Sequence, residues 1–318
     1  MPWRVITTEP DALGESPFWR ADEGRLYWVD IAGRALLRMA PESGAVQRWP
    51  LPSEPGCAAP VRTAAGRPGG WVIALRDGVY RARTWAGALE CIARLPYDSA
   101  TQRANDGKCD ALGRLWVGTV HEPTDGGPRL PLAALYCVDA RAGGSSSGVR
   151  VDRVLEGATT SNGLAWSPDQ RTLYWADTPT HRIQAFAVEP GATSLGAPRT
   201  LHEFAPKPRG WRSGQDDYGG RPDGACVDVE GAYWCALYEG ARVLRLTPAG
   251  DVLAELPIPA QCPTMPCLGG PDGRTLFVTT ARKGRPAEEL ARYPQSGHVF
   301  ATRVAVPGLP VAAFVMAE

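Results

Sequence analysis

One phrase returns six times along this 318-residue chain: a short apolar run, a turn rich in Gly, Asp and Pro, and a second apolar run carrying an aromatic residue. It opens at Glu15 (ESPFWRADEGRLYWVD), Ala59 (APVRTAAGRPGGWVIAL), Asn105 (NDGKCDALGRLWVGTV), Asn162 (NGLAWSPDQRTLYWAD), Asp223 (DGACVDVEGAYWCALY) and Thr264 (TMPCLGGPDGRTLFVTT). The runs are strand-sized and bounded by turn signals. A period of roughly 40–60 residues is that of propeller blades. The expectation is an all-β chain, a single six-bladed β-propeller domain over 1–318 with four-stranded blades around a central channel. A two-sheet sandwich or jelly roll is the rival, and six similar phrases argue against it. A short helix is expected near PAEELARY (286–293). RAGGSSSGV (141–149) reads as a flexible surface loop between blades. APKPRGWRSGQDDYGG (205–220) reads as a longer insertion, a lid or an elaborated loop.

Innermost strands line a propeller's channel, so equivalent positions from different blades converge on its axis. Glu15 to Leu26 and Asn162 to Leu173 are eleven residues apart, Asn105 to Leu115 and Asp223 to Tyr233 ten. Glu15, Asn105, Asn162 and Asp223 are therefore expected at one mouth of the channel. Ala59 and Thr264 leave two blades blank and one side open. The four residues offer oxygen atoms and two negative charges. Burying two carboxylates together calls for a cation. Asp and Glu oxygens with Asn carbonyls suit a hard divalent ion, Ca, Mg or Mn, and Zn or Fe(II) stays open. Taken singly, DG and NG are common turn dipeptides; four polar residues in one register are harder to assign to turns.

Composition narrows the partners. Lys plus Arg and Asp plus Glu both number 34, so the formal charge is zero and no basic stripe suggests nucleic acid. There is no run of 18 apolar residues and no apolar leader in MPWRVITTEPDALGE, so neither a membrane span nor export is expected. The eight cysteines are scattered without a CxxC, which favours reduced thiols and a cytoplasmic location over a disulfide framework. Four histidines lack ligand spacing, and no GxSxG elbow or phosphate loop occurs. Asp30 and Asp177, at the ends of WVD and WAD, read as structural acceptors.

The phrases LGESPFW, RANDGKCDALGRLWVGT, SNGLAWSPD, RPDGACVDVEGAYWCALY and CLGGPDGRTLFVTTARKG resemble the regucalcin/gluconolactonase (senescence marker protein) family, in order and over nearly the whole chain. The ending resembles the bacterial sugar-lactonase branch. The resemblance implies a six-bladed propeller, one divalent metal ion in the channel and hydrolysis of a small-molecule sugar lactone such as gluconolactone or xylonolactone. It places the metal ligands on Glu15, Asn162 and Asp223, and the substrate-contacting Arg and Asn on Arg103 and Asn105, which demotes Asn105 from fourth ligand to neighbour. Animal members carry two acidic residues after GTM. Here the stretch is GTVHEP, where Glu122 matches the first and Pro123 replaces the second. His121 is a further candidate substrate contact. A monomer or weak homo-oligomer is expected.

The mechanism that follows has the ion polarise the lactone carbonyl. Water attacks, activated either by Asp223 as general base or by the ion itself, and Arg103 steadies the oxyanion. The alternative for Arg103 is a turn residue pairing with Asp106 or Asp110. Two other functions fit the same cradle: an organophosphate or aryl-ester hydrolase, and a non-catalytic calcium-binding propeller.

Overall fold

The structure, a computed structural model, describes residues 2–142, 148–215 and 217–317. Residues 143–147 of the Gly/Ser loop expected at 141–149, and residue 216 of the 205–220 insertion, lie outside them. The described residues form six sheets, antiparallel but for one terminal strand, in the arrangement of a six-bladed β-propeller. Their inner strands are Gly14–Arg20, Cys57–Thr63, Gln102–Cys109, Ser161–Trp166, Arg221–Val227 and Pro263–Gly269, which define blades 1 to 6.

Each blade is covered on both faces by its neighbours, so its central strands are continuous apolar runs rather than alternating ones. Leu115–His121 is buried at every position. The outer strand Val252–Pro257 is half solvated and alternates. Among the described residues the core divides into six apolar clusters, one at each seam between adjacent blades. Aromatic residues from the repeated phrase bridge these seams. Trp116 meets Trp166 edge-on with ring centres 5.0 Å apart, Tyr174 meets Tyr233 at 5.1 Å, and Trp19 stacks on Phe277 at 5.8 Å.

Aspartates fasten the turns: Asp30, Asp110 and Asp228 are buried and Asp177 is half-buried. Asp110 accepts the Leu112 and Arg114 amides, Arg114 Nε and the Trp116 indole; Asp228 takes the Glu230 and Ala232 amides, the Trp234 indole and Arg245. Asp30 accepts the Leu13 and Gly33 amides, and Asp177 those of Thr159 and Thr160.

The N-terminal strand Arg4–Val5 pairs with Phe300–Arg303 and completes blade 6, closing the ring. Blade 2 departs from the expected four strands. The C-terminal strand Phe314–Met316 runs parallel to the end of Cys57–Thr63 and makes that sheet five-stranded. It satisfies backbone groups that an open inner edge would leave unpaired. Leu309–Ala312 help line an apolar cavity of about 130 Å³ with Phe18, Trp166 and Met265, where Lys108 Nζ donates to the Ala225 carbonyl at 2.8 Å. The helix is Ala287–Arg292. All eight cysteines are free, and among the described residues no helix is long and apolar enough to cross a membrane.

Candidate functional site

Trp19 pairs with Leu26, Cys109 with Leu115, Trp166 with Leu173 and Val227 with Tyr233. Glu15, Asn105, Asn162 and Asp223 each stand four residues ahead of those pairs, so the four occupy one level of the channel. The inner strands of blades 1, 3, 4, 5 and 6 all take up an extra residue there, with register shifts at Glu15/Phe18, Ala104/Asp106, Asn162/Ala165, Pro222/Ala225 and Pro263/Met265. Blade 2 shifts only farther down, at Val61/Arg62. Such bulges re-aim side chains. The residue after the polar one is left-handed in blades 1 and 4, at Ser16 (φ 49°) and Gly163 (φ 65°). Gly163 is required: a Cβ there would sit 2.5 Å from the Tyr233 hydroxyl, which donates to the Gly163 carbonyl.

A chain of hydrogen bonds crosses three blades at this level. Arg103 Nη1 donates to Asn105 Oδ1 at 3.0 Å, and Asn105 Nδ2 to Asn162 Oδ1 at 2.9 Å. Asn162 Nδ2 donates to Thr178 Oγ1 at 2.8 Å, and Thr178 Oγ1 to the Pro222 carbonyl at 2.9 Å. Asn105 thus turns its oxygen to Arg103 and its N–H groups to Asn162 and the Ser161 carbonyl, not an oxygen towards Glu15 and Asp223. The Thr264 hydroxyl, in a blank blade, is spent on the Gly14 carbonyl at 2.6 Å.

Three carboxylates are buried here: Glu15, Asp106 and Asp223. Asp106 is satisfied on both oxygens by the Gly107 and Leu164 amides, at 2.7 and 3.0 Å. Glu15 accepts one long bond from the Ser16 amide at 3.3 Å, and Asp223 accepts none among the described residues. Burial, and then the charges of Asp223 and Asp106, push the Glu15 carboxyl well above the ordinary range. Burial and Asp106 do the same to Asp223, against the pull of Arg221 and Arg129. An amide oxygen has two lone pairs, and Asn162 Oδ1 has given only one, to Asn105. Two open carboxylates with no cation in ion-pair range among the described residues, and an amide oxygen, are hard donors that fit a hard divalent ion. Among the described residues no group of three His, Cys, Asp or Glu is gathered to hold a metal. The set here contains two, with an amide as the third donor.

Arg103 is buried and gripped end-on by Glu122, through Nε and Nη2 at 3.0 Å each. It pairs with neither Asp106 nor Asp110, because strand pairing sets Arg103 against Val120, beside Glu122's end of the partner strand. Glu122 also meets Arg76 at 3.3 Å. Burial alone would raise the Glu122 carboxyl, but Arg103, Arg129 and Arg76 together hold it below its ordinary value. Of five guanidinium hydrogens in Arg103, Glu122, the Ala104 carbonyl and Asn105 take three, and Nε lies in ion-pair contact with the second Glu122 oxygen. One is left for a substrate. His121 is buried, and its Nδ1 accepts the Leu130 amide at 2.9 Å, which puts its proton on Nε2 and pins the 122–131 loop. The loop carries Arg129, whose Nη1 donates to Thr160 Oγ1 at 3.0 Å.

Sequence reasoning assigned Asp106 no role at the site, nor Arg129, and Thr178 was not singled out. Asp106 sits in NDG, where a turn is the ordinary reading. Its acceptor role depends on Leu164 of the next blade.

Residues 13–282 match the SMP-30/Gluconolactonase/LRE-like region. The chain is 40% identical over 307 residues to the 6-deoxy-6-sulfogluconolactonase of Pseudomonas putida, covering 96% of each. It is 33% identical over 304 residues to the regucalcin of Gallus gallus, covering 94% of this chain and 93% of that one. Among solved structures, the calcium-binding protein regucalcin from Agrobacterium tumefaciens str. C58 superposes with a TM-score of 0.84 at 25% identity, over 98% of this chain and 97% of that one.

Proposed function

The chain belongs to the SMP-30/gluconolactonase/LRE-like family, and from that membership we propose that it hydrolyses an aldonolactone, of gluconolactone or xylonolactone type, to the aldonic acid with one divalent metal ion. The observation that carries the proposal is the pair of buried carboxylates, Glu15 and Asp223, left with open oxygens beside an Arg103–Asn105 pair already locked in place. A relative named for a gluconolactone adds support. The proposal takes the six blades as one domain, because the site draws side chains from four of them.

Glu15, Asn162 and Asp223 would hold the ion, which supplies Lewis-acid polarisation of the lactone carbonyl. The oxygen-only donor set favours Ca, Mg or Mn over Zn or Fe(II). Asp223 takes a proton from the attacking water as its oxygen bonds to the carbonyl carbon. The ring C–O bond then breaks, and the proton passes to the departing ring oxygen. Burial and the neighbouring charge of Asp106 raise the proton affinity of Asp223, which opposes the acidifying effect of a cation. Arg103 offers its one unspent N–H to the developing oxyanion or a sugar oxygen. Asn105 offers the second lone pair of Oδ1 to a sugar hydroxyl.

The test follows acid release from a panel of five- and six-membered aldonolactones and a phosphotriester, before and after chelation and with each ion restored. The proposal expects metal-dependent hydrolysis of at least one lactone. Turnover of the phosphotriester alone would move the chain to ester chemistry of another kind. Ion binding without turnover would make it a binding propeller.

A further inference from the structure

Glu122, which grips Arg103 at the site, also lines a cleft of about 730 Å³. Its charged lining is Arg34, Arg76, Arg129, Lys283, Glu54 and Glu122. Both carboxylates are engaged. Glu54 pairs with Arg76 at 2.9 Å and Arg34 at 3.4 Å, and Glu122 with Arg103 and Arg76. Asp125 of the adjoining loop folds onto its own Gly127 amide. Arg129 and Lys283 are left with no carboxylate in ion-pair range among the described residues.

Both residues are anchored, Arg129 through its side chain and Lys283 through its backbone. Arg129 is tied by Thr160, and the amide of the next residue is held by His121. The Lys283 amide donates to the Ala12 carbonyl at 2.8 Å. Positive charge also accumulates behind them. Loss of hydration acts most against the charge of Arg129, Glu122 favours it, and Arg103 and Arg221 act against it. Lys207, Arg221 and Arg285 converge on Glu239, with Arg285 also held by Glu289, and Arg221 Nε is buried with no acceptor. Neighbouring cations without acid partners attract anions, and Arg and Lys are the donors that bind oxyanions.

We infer that the lactone this chain hydrolyses carries an anionic oxyacid group (sulfonate, phosphate or carboxylate) at the end remote from its carbonyl, held by Arg129 and Lys283. The inference rests on the lactonase reading. It divides the substrate between two ends of one site: the lactone at Glu15, Asn162 and Asp223, and the anion in the cleft over blades 6, 1, 2 and 3.

The experiment compares kcat/KM for gluconolactone with that for gluconolactones bearing a phosphate or a sulfonate at carbon 6, and for a lactone of a dicarboxylic sugar acid. It uses the metal-loaded full chain at low and high salt. At least one anionic lactone is expected to exceed the neutral one by about tenfold or more, with the advantage shrinking at high salt. The anionic-to-neutral ratio should fall about tenfold in Lys283→Met and in Arg129→Met. Lys283→Arg, which keeps the charge, should restore most of it. Equal or better use of the neutral lactone by the wild-type chain would overturn this inference and leave the lactonase reading standing. Hydrolysis of none of the four would overturn both.

Discussion

Asn105 Nδ2 donates to Asn162 Oδ1 at 2.9 Å, tying a side chain of blade 3 to one of blade 4 beside two carboxylates that have almost no donors of their own. The same Asn105 is held from behind by Arg103, and Arg103 by Glu122. The proposed substrate contacts and metal ligands therefore form one connected set.

Charge burial without compensation predicts that the chelated protein is strained electrostatically at Glu15 and Asp223. Glu15→Gln and Asp223→Asn keep shape and remove one charge. In chelator, each should raise Tm by a few degrees, since about 1 kcal/mol corresponds to roughly 2 °C in a chain of this length. Each should also abolish the rise in Tm that the added ion gives the wild type. Thermal scans with and without ion check both signs. A variant that lowers the chelated Tm yet keeps the ion's effect would remove these residues from the ligand set.

Arg103→Lys keeps a charge but cannot make the end-on pair with Glu122. Asn105 then loses the donor that fixes its oxygen. A displacement on the ångström scale costs about 100-fold in rate, so kcat/KM should drop by about that factor. Glu122→Gln should fall in between, and calorimetric ion affinity should change no more than a few-fold in either. Equal losses in turnover and ion binding would instead make Arg103 a support of the ligands.

Asp11 is buried against Asp30, with the Trp28 indole at 2.6 Å and Arg48 at 3.6 Å. Burial first, then the charge of Asp30, raise its carboxyl to about 7. The folded state thus holds a proton that the unfolded chain has already released. The stability this gives is complete below the ordinary carboxylate range and is lost as pH rises to about 7, by up to about 1.4 kcal/mol per pH unit. Denaturant melts between pH 4.5 and 7.5 should show the Asp11→Asn variant with a smaller loss than the wild type. An identical slope would contradict this account of Asp11.

Asp110 gathers two amides, an indole and the buried Arg114. Asp110→Ala strands a buried guanidinium and should destabilise the fold by about 3–5 kcal/mol, read as a drop of roughly 6–10 °C in Tm. A change of under 2 °C would show that Arg114 finds other acceptors.

The blade count and the shared level of Glu15, Asn105, Asn162 and Asp223 were legible because the repeat fixes a local distance: each polar residue stands the same four positions ahead of the pair that starts the next strand. Features that depend on partners far along the chain were not. Arg103 has Asp106 and Asp110 close behind it in sequence, whereas antiparallel pairing delivers Glu122, 19 residues on. Asp106 looked like a turn residue because its second donor, the Leu164 amide, lies 58 residues away. The fifth strand of blade 2 is three residues long and gains its place only from the open edge beside it. Arg129 and Lys283 stand on loops, where no period constrains position.

The measurement closest to the central claim is the rate of gluconolactone hydrolysis in a pH-stat, above the spontaneous rate, as a divalent ion is titrated into the chelated protein. The account predicts a rate near zero at the start, a rise that saturates at about one ion per chain, and no rise in Asp223→Asn. An undiminished rate in the chelated wild type, or none at any ion concentration with gluconolactone and the anionic lactones alike, would contradict it.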